Sequence, residues 1–251
     1  GQGHEAWRRH NIGLLLSTFQ VPTDALVIEH GPGFWAGSGT LPGVYRHRML
    51  VDARFTSPHK KTARALRLRG EVVDTARLIR EQVEPLGWPT TPQAVVWYNL
   101  GSSLRSYASE MPSARAHAGK SRVAVAASVV DEALRAVSEV LPDGGLFIYV
   151  DDRPRDGEVN RITDRVLALK LPYSERHMFW PRPDDAGAAV FRKGEGRRRY
   201  DDFRVAPESR GSGLRTEPLT IGLALWLTGL TTTSPLEPLW WTLHLLGLEA
   251  L

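Results

Sequence analysis

Residues 25–33 read ALVIEHGPG, and this stretch indicates how the fold begins. The apolar run ALVI predicts a short buried strand that closes at Glu29. The nine residues that follow the strand and His30, GPGFWAGSG (31–39), contain four glycines and therefore predict a turn. A phosphate-binding P-loop would need a Lys-Ser/Thr pair after the glycines, and this pair is absent. The pattern favours a strand followed by a hairpin turn.

Outward from this stretch, the chain alternates between strand and helix patterns. Strands are predicted for VYRHRMLVDARF (44–55, one or two strands), AVVWY (94–98) and LFIYV (146–150). Apolar residues at helical spacing predict helices over 70–83, 129–140 and 159–171. Alternating strands and helices are typical of an α/β layer built around one sheet.

Composition shifts divide the chain into four predicted parts. Residues 1–20 form an N-terminal lead-in, and 21–172 form the α/β domain. Residues 173–217 are rich in Pro, Gly, Arg and Asp, which predicts an extended basic arm. Residues 218–251 are apolar and predict short C-terminal helices that pack on the main domain or form an interface with a protein partner.

The overall composition excludes several function classes. The chain has 251 residues, of which 42% are hydrophobic and 24% charged, a balance typical of a soluble globule. It has no cysteine, which excludes disulfides, Cys-based zinc sites and thiol catalysis. No signal peptide is visible, so we expect an intracellular protein. The longest apolar run, LTIGLALWLTGLT (219–231), is too short to span a bilayer, so no membrane association is predicted.

Positive charge is concentrated in one segment. Residues 46–69 hold eight basic side chains and one acid, a local net charge of +7 against +4 for the whole chain. Such a segment can contact a nucleic-acid backbone, although a solvated loop and helix face would have the same composition. The residues predicted to contact phosphate are Arg46, Arg48, Lys60, Lys61 and Arg67.

Four polar side chains lie at the ends of predicted strands or within predicted helices. Glu29 closes the first strand and Glu71 begins the first amphipathic helix. Asn99 closes the strand AVVWY, and Asp164 lies in the last predicted helix of the α/β part. Oxygen ligands that converge on one edge of a sheet are what a divalent metal requires.

The order of these elements resembles the ribonuclease H family. In that family an acid ends the first strand before a hairpin, a Glu lies on the first helix, an Asp ends the fourth strand, and another Asp lies on the last helix. The stretches that carry the resemblance are VIEHGPG (27–33), LRGEVVDTARLI (68–79), AVVWYNLGSSLRSYA (94–108) and DGEVNRITDRVLA (156–168). It implies an RNase H-like mixed sheet flanked by helices.

The resemblance also implies a chemistry. Glu29, Glu71, Asn99 and Asp164 would be the catalytic set, and Glu29, Glu71 and Asp164 would bind Mg²⁺. Two positions depart from the family, because Glu29 and Asn99 each replace an Asp, and the first change displaces the oxygens while the second removes a charge. We therefore expect a nucleic-acid-binding domain of a replication or reverse-transcription machine, weakly active or inactive in Mg-dependent cleavage of an RNA/DNA hybrid.

Two alternatives stay open from the sequence. A structural subunit of an RNA–protein assembly would thread RNA along 182–217 and dock a partner through the Trp-rich end. A restriction-type nuclease core would use LVDARF (50–55), with Asp24 or Asp52 as the metal ligand and Arg54 where a Lys is expected.

Overall fold

The computed structural model describes residues 2–32, 39–55, 59–61, 65–151, 157–180, 187–195 and 199–204. The helices are α1 (Gln2–Thr18), α2 (Thr75–Leu78), α3 (Leu100–Tyr107), α4 (Arg122–Val140) and α5 (Glu158–Ala168). A 3₁₀ turn (Val72–Asp74) precedes α2, while a π turn (Ile79–Val83) and a 3₁₀ turn (Glu84–Leu86) follow it. Two further 3₁₀ turns, Ala108–Glu110 and Pro112–His117, follow α3.

In the described residues, nine strands form one mixed sheet. They are β1 (Leu26–His30), β2 (His47–Asp52), β3 (His59–Lys61), β4 (Leu66–Arg69), β5 (Pro92–Tyr98), β6 (Leu146–Asp151), β7 (Tyr173–Trp180), β8 (Gly187–Lys193) and β9 (Arg199–Arg204). Their spatial order is β3-β4-β2-β1-β5-β6-β8-β7-β9. β4, β2, β1, β5 and β6 are mutually parallel, whereas β8 is antiparallel to both of its neighbours and β3 is antiparallel to β4. The predicted mixed α/β sheet flanked by helices is confirmed.

The central strands are buried on both faces, as parallel strands covered by helices must be. On one face, α2, α3, α4 and α5 pack around Trp97 and Phe147, which are fully buried. On the other face, α1 covers the sheet through Ile12 and Leu15. The side chains along each central strand alternate between these two cores.

Local sequence explains why the long helices form where they do. Ser121 is the N-cap of α4, and its hydroxyl oxygen accepts a hydrogen bond from the Ala124 N–H at 3.3 Å. Along α4, buried residues recur every three or four positions, which turns one face towards the sheet. In α5 the buried Val159, Ile162 and Val166 follow the same spacing.

The strand pairing contradicts the RNase H-like prediction. A hairpin after the first strand would make β1 and β2 antiparallel neighbours, but they are parallel, with Leu26 opposite His47 and His30 opposite Val51. The 16 residues between them (31–46) are enough for a parallel connection, since such connections need a dozen or more residues. The expected early hairpin is therefore absent between these strands.

The predicted basic arm differs from the structure in its described part. Residues 173–180, 187–193 and 199–204 are strands β7, β8 and β9 of the same sheet. They were not recognised as strands because Pro, Gly and charged residues interrupt the apolar alternation. The apolar segment 218–251, and the protein partner predicted for it, lie outside the described residues.

None of the helices in the described residues is long and apolar enough to cross a bilayer.

Candidate binding site at the carboxyl edge of the sheet

The sheet reverses its direction of growth between β1 and β5. The chain moves outward from β1 to β2 and β4, then crosses back to place β5 on the other side of β1. Loops diverge at such a point and leave a crevice beyond the carboxyl ends of the strands. A cavity of about 950 Å³ lies there. Its lining includes Gly31 after β1, Asp52 on β2, Arg69 and Glu71 around the end of β4, and Leu100 after β5.

Gly31 allows β1 and α3 to meet at the cavity. Its φ of +66° lies in the left-handed region, and a Cβ added there would lie 2.4 Å from Leu100 Cδ1. Its N–H donates to the carbonyl oxygen of Val51 at 2.8 Å, which ties the end of β1 to β2. A side chain at this position would force the Leu100 side chain to move.

Glu29 is fully buried and holds the loop that follows β1. Its carboxylate accepts hydrogen bonds from the Thr40 N–H at 2.6 Å and the Thr40 hydroxyl at 2.9 Å. Gly39, with a φ of +71°, lies so close that a Cβ would be 2.3 Å from Glu29 Oε2. Glu29 is thus a loop-positioning residue, and its oxygens face Thr40.

Asp52 ends β2 as a buried carboxylate on the cavity wall. Its Oδ1 accepts from the Arg54 backbone N–H at 2.9 Å, and its two oxygens accept from Arg54 Nε and Nη2, each at 3.1 Å. The Asp52 side chain is 4% exposed, whereas that of Arg54 is 42% exposed. Hydrogen bonding to this carboxylate raises the pKa of the Arg54 guanidinium. The bonds to Arg54 fix the orientation of the Asp52 carboxylate at the cavity wall. Each carboxylate oxygen can accept more than one hydrogen bond, so Asp52 keeps acceptor capacity for a ligand.

Glu71 forms another wall of the cavity. It is 6% exposed, and its carboxylate accepts from the Ser113 N–H, with distances of 3.3 and 3.2 Å to its two oxygens. Its own N–H donates to Asp74 Oδ2 at 2.8 Å. These bonds connect the segment after β4 with the segment after α3, both of which line the cavity.

His30 joins β1 to β5 and to α2 behind the cavity. Its Nδ1 accepts from Trp97 Nε1–H at 3.0 Å, so its Nε2 is the protonated nitrogen and donates to Thr75 Oγ1 at 2.8 Å. The Thr75 hydroxyl in turn donates to the Val72 carbonyl at 2.6 Å. Complete burial lowers the pKa of His30 from 6.5 to about 3, so the ring is neutral at physiological pH. The chain of bonds fixes Val72, a residue of the cavity wall.

The four residues predicted as a catalytic set do not converge. Glu71 lines the cavity, whereas Glu29 is bound to Thr40 and Asp164 is exposed on α5 beside a different groove. Asn99 has a φ of +55° at the start of α3, and its carbonyl accepts from the Ser102 and Ser103 hydroxyls at 3.3 Å. In the part of the chain that the structure describes, no group of three or more His, Asp or Glu residues could hold a metal. The predicted Mg²⁺ site is therefore wrong.

The nuclease-core alternative is also wrong. Asp24 precedes β1 and lies at the amino edge of the sheet, where its carbonyl oxygen is 2.7 Å from His47 Nδ1. Asp52 lies at the opposite, carboxyl edge and binds its own neighbour Arg54. Neither Asp24 nor Asp52 belongs to a group of three or more His, Asp or Glu in the described residues that could hold a metal. The RNA-threading alternative also fails, because residues 187–193 and 199–204 are strands of the sheet.

The basic segment is spread over several environments. Arg46, Lys60 and Lys61 are exposed. The guanidinium of Arg67 lies 4.3 Å from the centre of the Phe55 ring. Arg48 is only 5% exposed within β2, so it cannot reach a phosphate, and its inclusion in the predicted nucleic-acid contact set is wrong. Arg46 precedes β2 at the amino edge, away from the cavity.

Without the edge strands β3 and β9, the strand order defines a doubly wound sheet of the Rossmann type, in which the antiparallel β8 is inserted between β6 and β7. No family model matches the chain, and neither does any curated protein.

Solved structures similar to the chain include three bacterial methyltransferases. N-methyltransferase NodS of Bradyrhizobium japonicum is 12% identical, with a TM-score of 0.45, and the match covers 75% of this chain and 96% of NodS. A TehB-like SAM-dependent methyltransferase of Corynebacterium glutamicum is 12% identical, with a TM-score of 0.44 and coverage of 74% and 88%. An rRNA methylase of Streptococcus thermophilus is 11% identical, with a TM-score of 0.42 and coverage of 71% and 92%.

Because these TM-scores are below 0.5, the description of the fold rests on the strand order itself. The ribonuclease H assignment is wrong, because the pairing of β1 with β2 is parallel. Reverse transcription and Mg-dependent hybrid cleavage are excluded with it.

Sequence reasoning missed the two residues that mark the site. The glycine-rich pattern predicts a hairpin turn at Gly31, and the residues around Asp52 predict only a nuclease ligand. The available signal was a glycine directly after a buried strand with an acid 21 residues further on, at the end of the next strand. This spacing is the one at which doubly wound folds place a ribose-binding carboxylate.

Proposed function

We propose that the chain is a methyltransferase that uses S-adenosylmethionine (SAM), bound in the cavity at the carboxyl edge. The observation that carries the proposal is that Gly31 and Asp52, at the ends of neighbouring parallel strands, line one cavity at the switch point of the sheet. In doubly wound folds this is where the adenosine part of a cofactor binds, with the acid on the ribose hydroxyls.

The hydrogen-bond acceptors of the cavity suit an adenosyl group. Ribose hydroxyls and the adenine amino group are hydrogen-bond donors, and Asp52 and Glu71 supply buried carboxylate oxygens to accept from them. Apolar side chains of Val51, Leu100 and Leu104 line the same cavity and could pack on a flat purine.

The described residues favour SAM over a dinucleotide. A dinucleotide brings a pyrophosphate, which needs cationic side chains or backbone N–H groups as ligands. Arg54 already donates Nε–H and Nη2–H to Asp52, so its guanidinium has fewer donors available for a phosphate. SAM carries no phosphate and has a positive sulfonium, which carboxylates tolerate well.

When bound, SAM supplies an electrophilic methyl group to an acceptor. The residues of this chain would bind and orient it: Asp52 would accept hydrogen bonds from the ribose hydroxyls, and Glu71 would accept one from the adenine amine. Leu100 and Leu104 exclude water from one side of the cavity. His30 holds Val72 at the cavity wall through Thr75.

The experiment is calorimetric titration of the protein with SAM and with its product S-adenosylhomocysteine. We expect binding of both ligands, and a loss of about 10- to 100-fold in affinity for Asp52→Asn, since hydrogen bonds to a charged group contribute about 1.5–3 kcal/mol. The matched control is Asp143→Asn, an exposed acid in the turn before β6, which should bind as the unchanged protein does. Binding of NAD without binding of SAM would refute the proposal.

A nucleic acid is the acceptor class that the basic segment supports. Arg46, Lys60 and Lys61 are exposed, and Arg67 is partly exposed beside Lys60 across the β3–β4 pair. If they contact phosphates, binding to RNA should weaken steeply as salt rises, and a Lys60→Gln/Lys61→Gln double variant should have a shallower salt dependence. Binding that does not change with salt would exclude this surface.

A further inference from the structure

A second cavity lies on the outer surface of the helical layer and belongs to no part of the proposed cofactor site. It is a groove of about 630 Å³ between α4 and α5. Its floor is apolar and includes the buried Ala126, Val130 and Ile162. At its mouth Val123 is 80% exposed, the most exposed of the large apolar side chains in the described residues. A further segment that covers such a groove removes its apolar area from water, which stabilises the covered state.

The rim of the groove is basic. Arg105 forms a bidentate ion pair with Glu158, and Arg165 forms one with Asp131, so these two cations are neutralised. Arg122 and Arg161 are exposed and form no ion pair with any described residue. Exposed Asp164 is the one carboxylate in the lining. The surface therefore suits an apolar segment that brings negative charge.

The C-terminal part of this chain has the matching composition. Residues 218–251 are mainly apolar and include Trp226, Trp240 and Trp241. Their charged side chains are Glu237 and Glu249, with no Lys or Arg, so the segment carries a net charge of −2. An apolar segment of this length is costly to leave in water.

The described strands place the chain within reach of the groove. β9 is parallel to β6 through β7 and β8, so it ends at Arg204 on the carboxyl edge of the sheet. β9 lies three strands from β6, about 14 Å. α5 is the next helix after β6 and begins at Glu158. The 13 residues 205–217 can span up to about 43 Å when extended, which exceeds this separation.

We propose that residues 218–251 bind in the α4/α5 groove of the same chain, with their apolar side chains over Val123 and Ala127 and their carboxylates near Arg122 and Arg161. The proposal does not depend on the methyltransferase assignment.

The test uses the full chain and exploits its lack of cysteine. Val123→Cys, labelled with bimane, places a fluorophore at the mouth of the groove, and tryptophan quenches bimane at contact distance. We expect weak emission from this label, and recovery of emission when Trp226, Trp240 and Trp241 are all changed to Phe. The control label is Val44→Cys, which is also exposed but lies before β2 on the amino side of the sheet, and its emission should not respond to these changes.

A second readout leaves the C-terminal segment unchanged. The thiol of Val123→Cys should react with a disulfide reagent more slowly than that of Val44→Cys, although Val123 is 80% exposed and Val44 is 52% exposed in the described structure. Changing Arg122 and Arg161 to Gln should raise the reactivity at position 123, whereas Arg135→Gln, an exposed site on the same helix, should not.

Two results would overturn the proposal. Equal bimane emission with and without the three tryptophans, together with fast reaction at position 123, would show that the groove is open. Quenching that grows with protein concentration would assign the occupant to a second copy of the chain.

Discussion

Acidification should destabilise the protein through His30 in a way that can be calculated. Its folded pKa of about 3 lies below the ordinary value of 6.5, so between these values the unfolded chain binds a proton that the folded chain excludes. The stability due to neutral His30 is therefore complete above pH 6.5 and is lost as the pH falls towards 3. At pH 5 the loss is about 2 kcal/mol, from about 1.4 kcal/mol per pH unit below 6.5.

The assay is urea unfolding followed by tryptophan fluorescence at pH 7.5 and pH 5.0, for the unchanged protein and for His30→Gln. Glutamine does not titrate, and all other titrating groups are common to both proteins. The unchanged protein should lose about 2 kcal/mol more stability than the variant between the two pH values. An equal loss in both proteins would refute the reasoning, because it would mean that His30 binds its proton equally in the folded and unfolded states.

Two further predictions concern packing around the site. Gly39→Ala should destabilise the protein by about 1–3 kcal/mol more than Gly87→Ala in urea unfolding, because both positions have a positive φ but an added Cβ meets the Glu29 carboxylate only at Gly39; equal losses would show that the loop adjusts freely. Glu158→Leu should cost about 1–3 kcal/mol, because it removes the buried carboxylate that binds the partly exposed Arg105, and the Arg105→Met/Glu158→Leu double variant should lose less than the sum of its two single variants; additive losses in this double-mutant cycle would contradict the coupling.

Local patterns determined much of the secondary structure. The apolar runs ALVI, AVVWY and LFIYV lie in β1, β5 and β6, and the helical spacing of 129–140 and 159–171 falls largely within α4 and α5. These elements can be predicted from the sequence because a buried face requires apolar residues at the repeat of a strand or of a helix. The absence of cysteine and the basic segment 46–69 were likewise plain from composition.

The direction and order of the strands were decided only by the tertiary structure. An acid at the end of a buried strand followed by glycines fits either a hairpin or a crossover, because both begin with the same local turn. Whether β2 runs parallel or antiparallel to β1 depends on what covers the sheet, and here α1 and α4 cover opposite faces. The strand order brings Asp52 beside Gly31, whereas Asp164 lines another groove, so only Glu71 of the four residues that suggested a metal centre in sequence lines the cavity at the carboxyl edge.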